Sequence, residues 1–552
     1  MLSLALGVAG GLLAYPGRQL GPELQRNGGF EQQREGWTAR YYEVDTTISH
    51  SGRASLRITD ADKIPRAQSA SQLLSGAPGP RSYRLTAWLK TQDLGANGRG
   101  GVRIGVRAKE GPGEKYCSQG CEFTKVYSGT HDWFQVEIKN ILLPDTSNGI
   151  LIISDAYGEP SGSYWLDDVV LREELPPPVE AQLLIPNYRG ILWSDVPDVA
   201  LFRVKANARG AVTAIVVADD GQGRKFPVQP GEARLDLRPF PGRSFTVTFQ
   251  LDGKDAYPPF RLVRRPASER QQMTATFSPD GRFLVRGKPT FLLGVYDSGL
   301  GYTNSESRWE SIFAEGRRLF QLPGLNGYIN FWFGGARLSA LQSMMNALSR
   351  HGVLYWQTAN CFGGARYGNG KGFPGTGPDP SYATTLGRHP GLGGWYLADE
   401  CRPGLAADVQ ADHLLLQERD PDGVNLGAFN STALEPWLAA TDVVGVDSYP
   451  MYGAEPAGGY PFGKVYDGAA AVRAAGGPYR PFWQVIQFFQ FTSRGRWPTR
   501  EELRSMSYAA IVGGANGLFY WSLGTNALAY SCKSSSEWCP ARVEYFENLE
   551  AV

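Results

Sequence analysis

The sequence predicts a multidomain, β-rich protein in which two β-sandwiches precede a C-terminal (β/α)8 TIM barrel. Three observations carry this. At about 150 residues per domain, 552 residues make three or four domains. Short alternating runs separated by Gly/Ser/Asn turns fill the first half, as antiparallel strands do. In the second half, eight apolar runs alternate with amphipathic stretches, the pattern of parallel strands joined by helices.

Composition narrows the function classes. Hydrophobic residues make up 42% and charged residues 20%, enough for sizeable cores. Lys+Arg number 55 and Asp+Glu 54, so a net charge of +1 offers no field to recruit nucleic acid or an anionic membrane. With 68 Gly, 37 Pro and 12% aromatics, the chain reads as loop-rich and sheet-built rather than disordered.

Residues 1–20 open with MLSLALGVAGGLLAY (Met1–Tyr15), an apolar run too short for a bilayer anchor. It matches the h-region of a secretory signal, although no Lys or Arg precedes it. No later run is long and apolar enough to span, so no membrane span is expected after the N-terminus. The six cysteines point to the same extracellular or cell-envelope destination. Cys117 and Cys121 flank SQG, Cys532 and Cys539 flank KSSSEW, and Cys361 and Cys401 fall at tips of neighbouring barrel strands. Each pair is a disulfide candidate, with reduced thiols the alternative.

Residues 21–175 alternate short strands, Ala54–Ile58, Tyr83–Leu89, Val102–Ala108, Trp133–Ile138 and Ile150–Ser154, with turns. The segments ELQRNGGFE (Glu23–Glu31), HSGRASLRI (His50–Ile58), RLTAWLK (Arg84–Lys90) and YWLDDVVL (Tyr164–Leu171) resemble the jelly-roll carbohydrate-binding modules. That resemblance implies an all-β jelly roll with a structural Ca²⁺ held by Glu31 and Asp168 with backbone carbonyls. On a plainer reading Asp167 and Asp168 cap a turn. Trp37, Trp88, Trp133 and Trp165 are of a kind that stacks on sugars, but most tryptophans in a sandwich are core, and none is singled out.

Residues 176–268 follow the stiff linker ELPPPVE (Glu174–Glu180). Runs at Gln182–Ile185, Ala200–Ala206, Val212–Ala218, Ala233–Leu237 and Phe245–Leu251 suggest an Ig-like β-sandwich, read as a spacer.

Residues 269–552 carry the barrel. Its expected strands are Phe291–Tyr296, Gly327–Phe333, Val353–Ala359, Gly393–Ala398, Val424–Phe429, Val443–Asp447, Phe482–Phe488 and Gly517–Trp521. Helices are expected at Ser305–Phe320, Arg337–Arg350, Ala406–Arg419, Thr432–Ala440, Gly468–Ala475, Arg500–Val512 and from about Arg542. Ser305 and Thr499 are fitting helix starts.

A barrel of this kind presents its chemistry at the C-terminal strand tips. There the sequence places Asp297, Asn330, Trp332, Asn360, Asp399-Glu400, Asn430, Asp447-Ser448-Tyr449, Gln487 and Trp521. Carboxylates, carboxamides and aromatics without His or Lys suit glycosidic cleavage or sugar binding. This rim resembles the glycoside hydrolases whose acid/base Glu closes strand 4 of the barrel, which makes Glu400 the expected general acid. That clan has Asn before the Glu, where this chain has Asp399, and a nucleophilic Glu ending strand 7, where it has Gln487. A neutral carboxamide cannot attack an anomeric carbon.

Three accounts follow. Asp447, or next Asp297, supplies the second carboxylate. Alternatively Asp399-Glu400 act as a unit with Tyr449, as in substrate-assisted β-N-acetylhexosaminidases. Or the chain is a non-catalytic carbohydrate-binding scaffold. In the first, Asn330, Trp332, Asn360, Asn430, Tyr449, Gln487 and Trp521 would hold a poly- or oligosaccharide, and no organic cofactor is implied.

Overall fold

A computed structural model describes residues 19–39, 41–59, 69–75, 81–110, 116–143, 147–158, 160–298, 303–330, 336–359, 380–401, 405–430, 434–490 and 496–524. The chain divides into two compact units that meet in sequence at Pro177 and Pro178.

The first unit is a two-sheet antiparallel sandwich. One sheet orders Glu43–Asp45, Ser55–Ile58, Ser163–Leu175, Arg81–Leu94 and Gly129–Leu143, with Gln19–Glu23 added beside Ser163–Leu175. Gln19 and Leu20, expected in the signal segment, are therefore strand residues; 1–18 lie outside the described residues. The other sheet orders Ser69–Ser75, Ser147–Tyr157, Gly101–Glu110 and Tyr116–Phe123. Alternation decides which side chains fill the gap: Val102, Ile104, Val106 and Ala108 are buried against Leu85, Ala87 and Leu89.

The second unit holds both the second sandwich and the barrel. One of the sandwich's sheets orders Val179–Ile185, Val199–Ala206 and Gly231–Asp236. The other orders Ile191–Trp193, Phe260–Arg265, Ser244–Leu251, Val212–Ala218 and Gly223–Val228. This segment does more than space. Tyr188, Ile191 and Trp193 share one core with Phe277, Phe283, Leu292, Trp356, Trp483 and Phe519 of the barrel. Arg189 reaches a buried ion pair with Asp442, Nη2 to Oδ2 2.7 Å, and donates to Gly423 O at 2.6 Å. Asp442 and Gly423 precede barrel strands, so these residues seal the end opposite the strand tips.

The barrel closes with eight parallel strands: Leu292–Ser298, Gly327–Asn330, Leu354–Thr358, Leu392–Asp399, Val424–Phe429, Val443–Val446, Phe482–Gln487 and Gly517–Gly524. They follow the expected segments closely. Among the described residues the helices are fewer and shorter than a full (β/α)8 ring. Leu338–Arg350, Ala406–Arg419, Gly463–Gly476 and Arg500–Gly513 form, the last with a capping box between Thr499 and Glu502. The helix expected over Ser305–Phe320 is capped by the Ser305 side chain but runs only Glu306–Ser311, then widens into a π turn. That expected at Thr432–Ala440 is a single 3₁₀ turn, Glu435–Trp437, because Pro436 can donate no backbone N–H. A helix absent from the sequence reading spans Pro380–Leu386, and the one expected from Arg542 lies outside the described residues.

Candidate functional site

Strand parity decides which tip residues enter the mouth. Leu292, Tyr296, Ile329, Leu354, Trp356, Tyr396, Leu426, Ala428, Val443, Val485 and Phe519 share the core cluster inside the barrel, so their neighbours in sequence face the helices. Asp297, next to inward Tyr296, therefore points away from the mouth. It is fully buried, bonded to Arg317 Nε at 3.0 Å and to the Tyr328 hydroxyl at 2.9 Å. Asn330 is also fully buried, its Nδ2 3.4 Å from the same Tyr328 hydroxyl. The structure thus sets Asp297 and Asn330 apart from Glu400.

Asp399 arrives by a different device. Tyr396 pairs with Leu426 on the next strand and Ala398 with Gly427, so strand 4 carries one extra residue. That bulge reverses the alternation and turns Asp399 to the side of Tyr396, whose hydroxyl bonds its carboxylate. Gly394 permits the same strand to press on its neighbour: its φ is +149°, and a Cβ there would stand 1.9 Å from Val424 O.

Glu400 closes the strand in the left-handed region, φ +47°, anchored by its N–H to Ala428 O at 2.9 Å. A non-glycine residue held there is strained, and such strain concentrates at functional sites. From this position its exposed carboxyl is near enough for its charge to act on Asp447. Asp447 is 3% exposed, with Oδ1 buried and without a partner. Burial, then the charge and hydrogen bond of Glu400, then Asp399 push the Asp447 carboxyl well above the usual range. Asp399 is raised to about 7, by burial and by Glu400, against the opposing bond from Tyr396.

Aromatics complete the mouth. Half-buried Tyr449 packs edge-on to Phe489 at 5.1 Å, and the charges of Asp447, Asp399 and Glu400 all act on its hydroxyl. Trp521, half-buried, stands edge-on to Tyr296 at 5.3 Å. Tyr296 is 1% exposed, its ring edge-on to that of Tyr396 at 5.5 Å. Tyr296 and Tyr396 are the site residues the sequence reading missed; the signal for Tyr396 was its place four residues before Glu400 on one strand.

Gln487 is not a sugar contact. It is fully buried, its Oε1 accepting from Met451 N–H at 2.9 Å and its Nε2 donating to Met451 O at 3.0 Å. A carboxamide alone can do both, so this residue clamps the loop that carries Tyr449 into the mouth. Asn430 is exposed at its strand tip; Trp332, Asn360 and Arg402 lie outside the described residues.

Cys401, beside Glu400, is disulfide-bonded. Cys361, Cys532 and Cys539 lie outside the described residues, as do the side chains of Cys117 and Cys121.

In the first unit Glu31 and Asp168 flank the turn at residues 50–54. Glu31 Oε1 accepts from the N–H groups of Arg53 at 2.6 Å and Ala54 at 3.2 Å. Asp168 Oδ1 accepts from the Ser51 hydroxyl at 2.8 Å, and its Oδ2 is 2.7 Å from His50 Nδ1. These are carboxylates of the type Ca²⁺ takes, but they are spent on N–H and O–H donors. Among the described residues no group of three or more His, Cys, Asp or Glu converges to hold a metal. As placed, the two carboxylates latch the turn.

No family model matches the chain, and no curated protein does. Solved structures similar to it are glycoside hydrolases. A β-glucuronidase from Ruminococcus gnavus, in complex with uronic deoxynojirimycin, is 11% identical, with a TM-score of 0.34 over 83% of this chain and 82% of that one. A GH2 β-galacturonidase from Eisenbergiella tayi is 11% identical, with a TM-score of 0.33 over 89% and 91%. A β-D-glucuronidase from Dictyoglomus thermophilum is 12% identical, with a TM-score of 0.31 over 88% and 90%. At such TM-scores the likeness assigns neither fold nor reaction to this chain.

Proposed function

We propose that the chain is a glycoside hydrolase in which Glu400 is the general acid and Asp447 the second carboxylate. The observation that carries the reading is that Glu400 acts on Asp447 at the tips of strands 4 and 6, beside half-buried Tyr449 and Trp521. Two neighbouring carboxyls can fill the two roles glycoside cleavage needs, an acid and a second carboxylate. Inverting enzymes hold their carboxyls ~6.5–9.5 Å apart to admit a water, whereas retaining ones hold them at ~5–5.5 Å. The action of Glu400 on Asp447 favours the shorter, retaining spacing. Glu400 would protonate the leaving oxygen while Asp447 attacks or stabilises the anomeric carbon.

A second reading has its own support. The charge of Asp399 acts on the Tyr449 hydroxyl, as expected of an arrangement in which an acetamido group serves as internal nucleophile with Asp399 orienting it. Export of the chain, and tethering to polysaccharide by the first sandwich, belong to the same proposal.

The test is hydrolysis of a panel of aryl glycosides, with and without a 2-acetamido group. Glu400→Gln and Asp447→Asn should each lower kcat by about 10²–10⁴-fold with the fold intact by circular dichroism. Turnover restricted to acetamido sugars, and lost in Asp399→Asn and Tyr449→Phe, selects the second reading. Sugar binding with no turnover by the wild type leaves a binding scaffold.

A further inference from the structure

Asp399 is held at both its backbone and its side chain. Its N–H donates to Cys401 Sγ at 3.2 Å, and its carboxylate accepts from the hydroxyl of fully buried Tyr396. Residues 396 and 399 stand an odd number of places apart, so on a regular strand they would face opposite sides. The bulge between Tyr396 and Ala398 is what lets them meet.

Behind Tyr396 stands Tyr296 of strand 1, edge-on at 5.5 Å, its hydroxyl interacting with that of Tyr396. A phenol has one proton, and Tyr396 gives its own to Asp399, so Tyr296 is the donor between the two phenols. The chain thus crosses the barrel from strand 1 to strand 4 and ends on a carboxylate. A hydroxyl that accepts in this way donates more strongly.

The bond from Tyr396 opposes burial and the Glu400 charge, which still lift Asp399 to about 7. Asp399 acts in turn on Asp447 and Tyr449. Among the described residues, the titratable groups coupled to Asp399 are Tyr396 and Glu400 on its own strand, Tyr296 on strand 1, and Asp447 and Tyr449 after strand 6.

We propose that Tyr396 is a positioning residue for the two catalytic carboxyls: its hydroxyl, backed by Tyr296, holds the Asp399 carboxylate in place, and through Asp399 it governs the pH at which Asp447 ionises. The effect on turnover rests on the hydrolase reading; the hold on Asp399 does not.

The experiment compares the wild type with Tyr396→Phe, Asp399→Asn and the double variant. Carbon-13 NMR of protein labelled at its aspartate carboxyls follows Asp399 without any substrate, its resonance being the one lost in Asp399→Asn. Tyr396→Phe takes a donor from the ionised form, so this resonance should titrate about one to two pH units higher. Tyr296→Phe, which removes only the backing donor, should move it the same way by less. With an aryl glycoside, Asp399 then keeps its proton to higher pH and presses less on Asp447, so the acid limb of kcat/KM in Tyr396→Phe should move to lower pH, as in Asp399→Asn. The double variant should match Asp399→Asn alone. An Asp399 resonance unmoved in both phenylalanine variants overturns the proposal whatever the activity. Slower turnover with an unmoved acid limb gives Tyr396 a merely structural role and also overturns it. A displaced resonance in a protein that turns over no glycoside overturns the hydrolase reading and upholds the hold on Asp399.

Discussion

Single side chains at the barrel mouth answer to two rules, alternation along a strand and the cost of burying charge. Asp297 and Asp447 are equally acidic in the sequence, yet Asp297 follows inward Tyr296 and turns to Arg317, while Asp447 shares the inward parity of Val443. The sequence could not tell them apart, because strand 1 is apolar on both faces from Leu292 to Tyr296 and shows no alternation. Asp399 makes a sharper prediction. Its negative charge helps hold the Asp447 proton. Asp399→Asn removes that charge, so the proton leaves at lower pH and the acid limb of the kcat/KM profile, below which Asp447 is not ionised to act as second carboxylate, moves to lower pH. An unmoved limb would mean that Asp399 does not act on the pair.

Elements place these residues. The bulge in strand 4 brings Asp399 inward, and the Gln487 clamp on Met451 fixes the loop bearing Tyr449. The eight strands were legible because each is a short apolar run bounded by turn residues. The bulge was not, since one extra residue in an all-buried strand leaves no polar mark. Nor was the role of Gln487, whose position at a strand tip suggested substrate, whereas its partners are backbone groups 36 residues away in sequence. Gln487→Glu should therefore not restore a nucleophile. It sets a carboxylate against Met451 O, and should cost about 1–3 kcal/mol and lower the denaturation midpoint with no gain in activity. A more active variant of unchanged stability would show that the side chain faces substrate.

The whole molecule carries several carboxyls displaced upward. Burial lifts Asp399 to about 7 and Asp420 to about 6 in the second unit, and Asp167 to about 6 in the first. Each holds its proton more tightly folded than unfolded. Its contribution is full below the unfolded value near 4 and is lost as pH rises through 6 to 7. Asp45, lowered to about 2 chiefly by the Thr47 and Trp165 bonds that outweigh its burial, acts oppositely, its contribution lost as pH falls from about 4 to 2. His413, lowered by burial to about 4, acts against them, its contribution lost as pH falls from about 6.5 to 4, so the upward-shifted carboxyls are read as a difference. From pH 5 to 8 the melting temperature of the second unit's transition should fall more, or rise less, in the wild type than in Asp399→Asn, and identical slopes would contradict it. The sequence anticipated two sandwiches and a barrel, but not that Tyr188, Arg189 and Trp193 would seal the barrel floor. Nothing local marks a residue whose partners lie more than 200 positions away.

The most direct test of the Glu400–Asp447 pair is the anomeric configuration of the first product, followed by proton NMR during hydrolysis of an aryl glycoside. Neighbouring carboxyls that act on each other predict retention, with the product anomer matching the substrate before mutarotation. Inversion would require the pair to stand apart around a water, and would contradict the arrangement on which the account depends.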